Sequence, residues 1–219
     1  MDLDTPPAQV QPLMMDLDIS EKYRQAPYII QAACAGDLQS IQHLVERGNC
    51  SLDAVGHICI SKRRMNSVGS NLIGAAAYYG HARALKYFIK KLDPTSVDIK
   101  ALETADRTQA KGVPFKPEYG QFTPLQLCIV SPHVNLDCVK TLFAADANHE
   151  VRERETNNNI IHLAAKYCSN LEVLEYVVKN AKVDIFERNK AGENALTICQ
   201  EFNTAEAAQI IENCQKAFD

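Results

Sequence analysis

The sequence has no pair of cysteines at CxxC spacing, no apolar stretch approaching the length of a membrane span, and no Lys or Arg among its first 21 residues. Each absence excludes a class of protein. Without about eighteen consecutive apolar residues there is no candidate transmembrane helix, and no membrane partner is expected. The opening MDLDTPP lacks both the basic region of a secretory signal and the Arg-rich character of a transit peptide. Eight cysteines, at 34, 50, 59, 128, 138, 168, 199 and 214, are therefore expected to be free thiols of a reducing compartment, cytoplasmic or nuclear. The nearest approach to a metal motif is His57-x-Cys59, which has no second pair at zinc-ligand spacing, so neither metal nor cofactor is expected.

Charge excludes a further class. The formal net charge is −4, and it resides in an acidic, Pro-containing arm, residues 1–21, that holds Asp2, Asp4, Asp16, Asp18 and Glu21. The remainder is nearly neutral and lacks the broad basic field on which binding to a phosphate backbone depends, so no nucleic-acid partner is expected. The arm carries the word MDLD twice, at 1–4 and 15–18, and reads as a docking segment that a partner could order or as a solubilising tail.

What is present is a repeat. Of 219 residues, 46% are apolar, enough for a core, and five segments superpose: PYIIQAACAG from Pro27, NLIGAAAYYG from Asn71, TPLQLCIVSP from Thr123, NIIHLAAKYC from Asn159 and NALTICQEFN from Asn194. Each starts on a residue suited to opening a helix. Two positions on stands an aliphatic, Ile29, Ile73, Leu125, Ile161 or Leu196; five positions on stands a small residue, Ala32, Ala76, Cys128, Ala164 or Cys199. A second apolar run at helical spacing follows each first helix, as in Leu171, Leu174, Val177 and Val178. The last such run, around Ile210 and Ile211, is the most polar, as a terminal cap requires.

Thr123-Pro124-Leu125-Gln126-Leu127, Ile161-His162-Leu163-Ala164-Ala165 and the AAYYGH of 76–81 resemble the T-P-L-H-x-A...G-H signature of ankyrin repeats. The resemblance implies an all-α fold: an ankyrin-repeat solenoid over 22–219 of about five helix-turn-helix repeats, near 26–69, 70–121, 122–157, 158–192 and 193–217. Starts separated by 44 and 52 residues, against the family's 33, place two long inter-repeat loops at 54–69 and 99–121. His162 then occupies the signature's structural His slot, and one His near Cys168 without an orienting third group is weak evidence for a nucleophile.

The resemblance also implies what the protein does. Ankyrin arrays bind other macromolecules, in most cases without catalysis, through the residues after the Ala-Ala pair and the turn ahead of the Thr slot. Carried over, these positions include Tyr78 and Tyr79, Lys166 and Tyr167, Phe202, Tyr119 and Phe122, with Asn158, Lys190 and Glu193 in the turn set. Tyr and Phe at exposed places bury much area at little entropic cost. The first loop adds three adjacent cations, Lys62, Arg63 and Arg64, suited to an acidic partner or to the chain's own arm. The expectation is a non-enzymatic interaction scaffold that joins or regulates a multiprotein assembly. The alternatives are an inhibitor subunit of an enzyme, and a thiol- or metal-dependent activity using Cys34, Cys168 or His57 with Cys59.

Overall fold

A computed structural model of the chain describes residues 28–47, 50, 52, 54–61, 66–92 and 122–217. Within them the protein is mostly helical. Ten helices and one hairpin follow in order: α1 (Tyr28–Ala35), α2 (Leu38–Glu46), β1 (Val55–Ser61), β2 (Asn66–Asn71), α3 (Leu72–Tyr78), α4 (Ala82–Lys91), α5 (Pro124–Val130), α6 (Leu136–Ala144), α7 (Ile160–Tyr167), α8 (Leu171–Asn180), α9 (Ala195–Phe202) and α10 (Ala205–Lys216). No helix among the described residues is long and apolar enough to cross a membrane. The arm, its neighbour Pro27 and the 99–121 insertion lie outside the described residues.

Side-chain caps set where the helices start. Asn71, Thr123, Asn159 and Asn194, the recurring first residues of the sequence template, each accept a backbone N–H from the first turn of α3, α5, α7 and α9. Such a cap satisfies a donor that the helix cannot, worth about 1 kcal/mol. Asp37, Asn135, Asn170 and Thr204 do the same for α2, α6, α8 and α10.

The helices pack as two layers. Odd-numbered helices contact one another in sequence, α1 with α3, then α5, α7 and α9; even-numbered helices form a parallel series from α2 to α10, and each pair also packs internally. The seam of small residues lies between these layers: Ala76, Cys128, Ala164 and Cys199 are fully buried, and Ala32 nearly so. A thiol fits there because it is small and buries readily.

Three of the pairs are also tied to their predecessors by polar groups reaching backward. His81 Nε2 lies 2.9 Å from the carbonyl of Cys34, Ser131 Oγ donates to the carbonyl of Tyr78, Asn135 Nδ2 donates to that of Gly80 at 2.6 Å, and Asn203 Nδ2 donates to Ala165 and Cys168 at 3.0 Å each. These contacts satisfy carbonyls at helix ends that lack intrahelical partners. Gly36, at φ +69°, must be glycine on two counts: a left-handed backbone, and a His81 ring that a Cβ would meet at 2.4 Å.

The first insertion differs from the expected loop. Residues 55–71 form an antiparallel hairpin with Val55 opposite Asn71 and Ile58 opposite Val68, interrupted by an irregularity between Cys59 and Ser61. Ile58 is fully buried, β1 touches α1, and β2 leads into α3. A strand projects alternate residues to opposite faces, and Ile58, in the middle of β1, is one that faces the core. His57 and Cys59, read as loop residues, lie in this strand.

Candidate functional site

The positions proposed for binding from the sequence separate into three groups. Tyr78 and Phe122 are not surface residues, being 1% and 2% exposed. Tyr78 ends α3 with its ring edge-on to Tyr79, centroids 5.2 Å apart, and to His133 at 6.4 Å. The cause is the α5–α6 connection, residues 131–135, which brings His133 and Ser131 over the end of α3. Tyr79 is half-buried and stacks between His81 and His133. Tyr119, Lys62, Arg63 and Arg64 lie outside the described residues.

The third group converges. Lys166 Nζ sits 5.4 Å from the ring centre of Tyr167 and 4.7 Å from that of Phe202, linking the ends of α7 and α9. Tyr167 is 38% and Phe202 51% exposed, large aromatic surfaces to leave in water. A cation over an aromatic face is attracted by the ring quadrupole, here by about 0.5–1 kcal/mol per contact at an exposed place. Among the described residues Lys166 has no carboxylate within salt-bridge distance.

Lys166 and Phe202 form one wall of a groove of about 360 Å³, whose other wall is built from two turns. In the first turn, Glu153 accepts hydrogen bonds from the backbone N–H groups of Glu155 and Thr156, and Asn157 takes the left-handed conformation at φ +59°. In the second, Asn189 Oδ1 accepts from Ala191 and Glu193 backbone N–H groups. Asn189 then joins the turns: its amide donates to Asn158 Oδ1 at 3.0 Å and to Glu193 Oε2 at 2.9 Å. Lys190 adds a backbone bond to Thr156 and an ammonium bond to the Arg154 carbonyl. The groove thus has an aromatic and aliphatic lining, Phe202 and Ile198, between the cations Lys166 and Lys190 and the carboxylates Glu155 and Glu193. Thr156, Asn189 and Ile198 were not singled out from the sequence, although turn tips that precede each N-cap by three to five residues were the available signal.

His162 supports this groove from beneath. It is buried, its Nδ1 faces the backbone N–H of Asn159 at 3.3 Å, and its Nε2 faces the carbonyl of Glu193 at 3.2 Å. The first partner can only donate and the second can only accept, so the neutral ring carries its proton on Nε2. Burial pushes its pKa below the ordinary histidine value. Both nitrogens are engaged by backbone, which leaves none to activate Cys168, and that thiol donates to the carbonyl of Asn170.

Gln126 does the same work one pair earlier. Its Oε1 accepts from the Thr123 N–H at 2.9 Å and its Nε2 donates to the Val151 carbonyl at 3.0 Å. Beyond the groove, burial raises the thiols of Cys34 to about 12 and of Cys199 to about 11, and also raises Cys168. Thiols so shifted hold little thiolate at neutral pH, and the thiolate is the nucleophile. Among the described residues no group of three His, Cys, Asp or Glu side chains is arranged to hold a metal ion.

No protein-family model matches this sequence, and no curated protein matches it either.

Proposed function

We propose that the protein is a non-enzymatic, ankyrin-repeat-like interaction scaffold whose partner, another protein, occupies the groove between α7, α9 and their preceding turns. The observation that carries this reading is the cluster of Lys166, Tyr167 and Phe202: two exposed rings flanking a cation without a salt-bridge partner among the described residues. Exposed aromatic and cationic side chains on a rigid wall are the usual makings of a binding hot spot. The wall is rigid because its turns are held by side-chain caps and by Asn189, so little ordering entropy is lost on binding. The repeat template, the two helical layers and the backward-reaching polar ties support an ankyrin-type array, in which turns and first helices present the recognition surface.

A native pull-down with the intact chain, followed by identification of what is retained, supplies the partner. The test is then to repeat the binding measurement with Lys166→Ala and Phe202→Ala together. Each truncated hot-spot side chain costs about 1–2 kcal/mol, so affinity is expected to fall at least about tenfold while the thermal midpoint holds. Unchanged affinity moves the interface off this groove.

A further inference from the structure

The second helical layer is unevenly charged. Helix α4 carries Arg83, Lys86, Lys90 and Lys91, all exposed, and no acidic residue. With Tyr87 these positions follow i, i+3, i+4, i+7 and i+8 spacing, which places them on one continuous face. None of the four cations meets a carboxylate among the described residues, whereas Lys179, Lys182 and Lys216, farther along the layer, each do. The flanking helices α2 and α6 contribute only Glu46 and Asp137 as acidic residues. Within the stripe, Lys91 Nζ lies 6.0 Å from the ring centre of Tyr87, whose buried hydroxyl has no hydrogen-bond partner among the described residues. Four like charges on one helical face form a surface suited to carboxylates.

One segment of the same chain has the matching chemistry. Residues 1–18 carry Asp2, Asp4, Asp16 and Asp18, each within an MDLD word, and no cation. The other acidic stretch near α4, residues 93–121, intersperses its carboxylates with Lys100, Arg107, Lys111 and Lys116. Reach is sufficient. Ten residue steps from Asp18 to the start of α1 at Tyr28 span up to about 33 Å when extended. Since α1 packs on α2 and α2 on α4, each at a helix–helix distance of about 8–10 Å, the basic stripe lies about 20 Å from that start.

We propose that the acidic arm docks on this face of α4, with Asp16 and Asp18 against Lys86, Lys90 and Lys91 and the interposed Leu17 beside Tyr87. The contact lies on the second layer, away from the α7–α9 groove, and does not depend on what that groove binds. Zero-length carbodiimide coupling of the intact chain, read by mass spectrometry, is expected to join Asp16 or Asp18 to Lys86, Lys90 or Lys91. Deleting residues 1–21 should raise the acetylation rate of those lysines about three- to tenfold, and about 0.5 M salt should do likewise, since exposed ion pairs are weak and screened. Lys86→Glu with Lys90→Glu should abolish the coupling; adding Asp16→Lys and Asp18→Lys should restore protection of Lys91. All four positions are at the surface or in the arm, so folding is not at stake. Acetylation rates unmoved by the deletion overturn the proposal, as do cross-links from α4 to residues 93–121 or only between two copies.

Discussion

Tyr78 and Lys166 stand at the same position of the repeat template, seven residues after an N-capping Asn, yet one is buried and the other lines an open groove. The difference comes from the following pair. After α5 the chain takes the longer connection 131–135, whose Ser131 and His133 close over the end of α3. After α9 the connection is only Asn203 and Thr204, with Asn203 bonded back to the carbonyls of Ala165 and Cys168 at the end of α7, and Lys166 stays partly exposed beside the rings of Tyr167 and Phe202. Equivalent sequence positions thus acquire opposite roles from a neighbour's loop length. In a stack of similar units, exposure is a property of the interface between two units and is not encoded at the position itself.

Exchanging the two residues tests this directly. Tyr78→Lys places an ammonium in a buried site, and a loss of about 3–5 kcal/mol or more is expected in chemical denaturation, enough to threaten folding. Ile58→Ala should cost about 2–4 kcal/mol, because it empties the buried anchor of the hairpin. A thermal midpoint unchanged by this second substitution would make the hairpin an appendage. Lys166→Tyr, the reciprocal exchange, should shift stability by no more than about 0.5–1 kcal/mol, since the position is partly exposed at the groove wall.

The pair Gln126 and His162 yields a finer comparison, with pH as the variable. In the unfolded chain His162 titrates near the ordinary value of about 6.5, and in the folded protein burial holds its pKa lower. Between those two values the unfolded state binds the additional proton. Stability is therefore fully present above about pH 6.5 and falls as acidification proceeds toward the folded pKa, by at most about 1.4 kcal/mol per pH unit from this residue. His162→Gln copies the Gln126 arrangement and should leave neutral stability within about 1 kcal/mol while flattening the decline between pH 7 and pH 5. His162→Ala, which leaves the Asn159 N–H and the Glu193 carbonyl without their side-chain partner, should cost about 1–3 kcal/mol at neutral pH. Equal acid sensitivity of the parent and His162→Gln proteins would assign the pH dependence elsewhere.

Much of the helical architecture was legible in the sequence because its signals recur. A cap such as Asn159 is ambiguous alone, but four caps with an aliphatic two residues on and a small residue five on identify a helix start each time. The groove residues Lys166 and Phe202 were legible for the same reason, since both stand at template positions. The burial of Tyr78 and Phe122 was not, since it depends on contacts from a segment distant in sequence. Nor was the hairpin: VGHICIS alternates over too few residues to stand out beside helical periods, and its buried Ile58 resembles any apolar loop residue. The shared role of Gln126 and His162 was hidden because their side chains look unlike while offering the backbone the same acceptor and donor.

The hairpin's rooting through Ile58 has a practical corollary for anyone altering the chain. An epitope or fluorophore spliced between Ser61 and Asn66 joins the ends of two paired strands whose footing is already fixed, so it should leave the helical layers undisturbed. Excising the entire 55–69 stretch, though it would bring the helix-pair spacing closer to the regular period, withdraws a plug from beneath α1 and opens that end of the molecule to water.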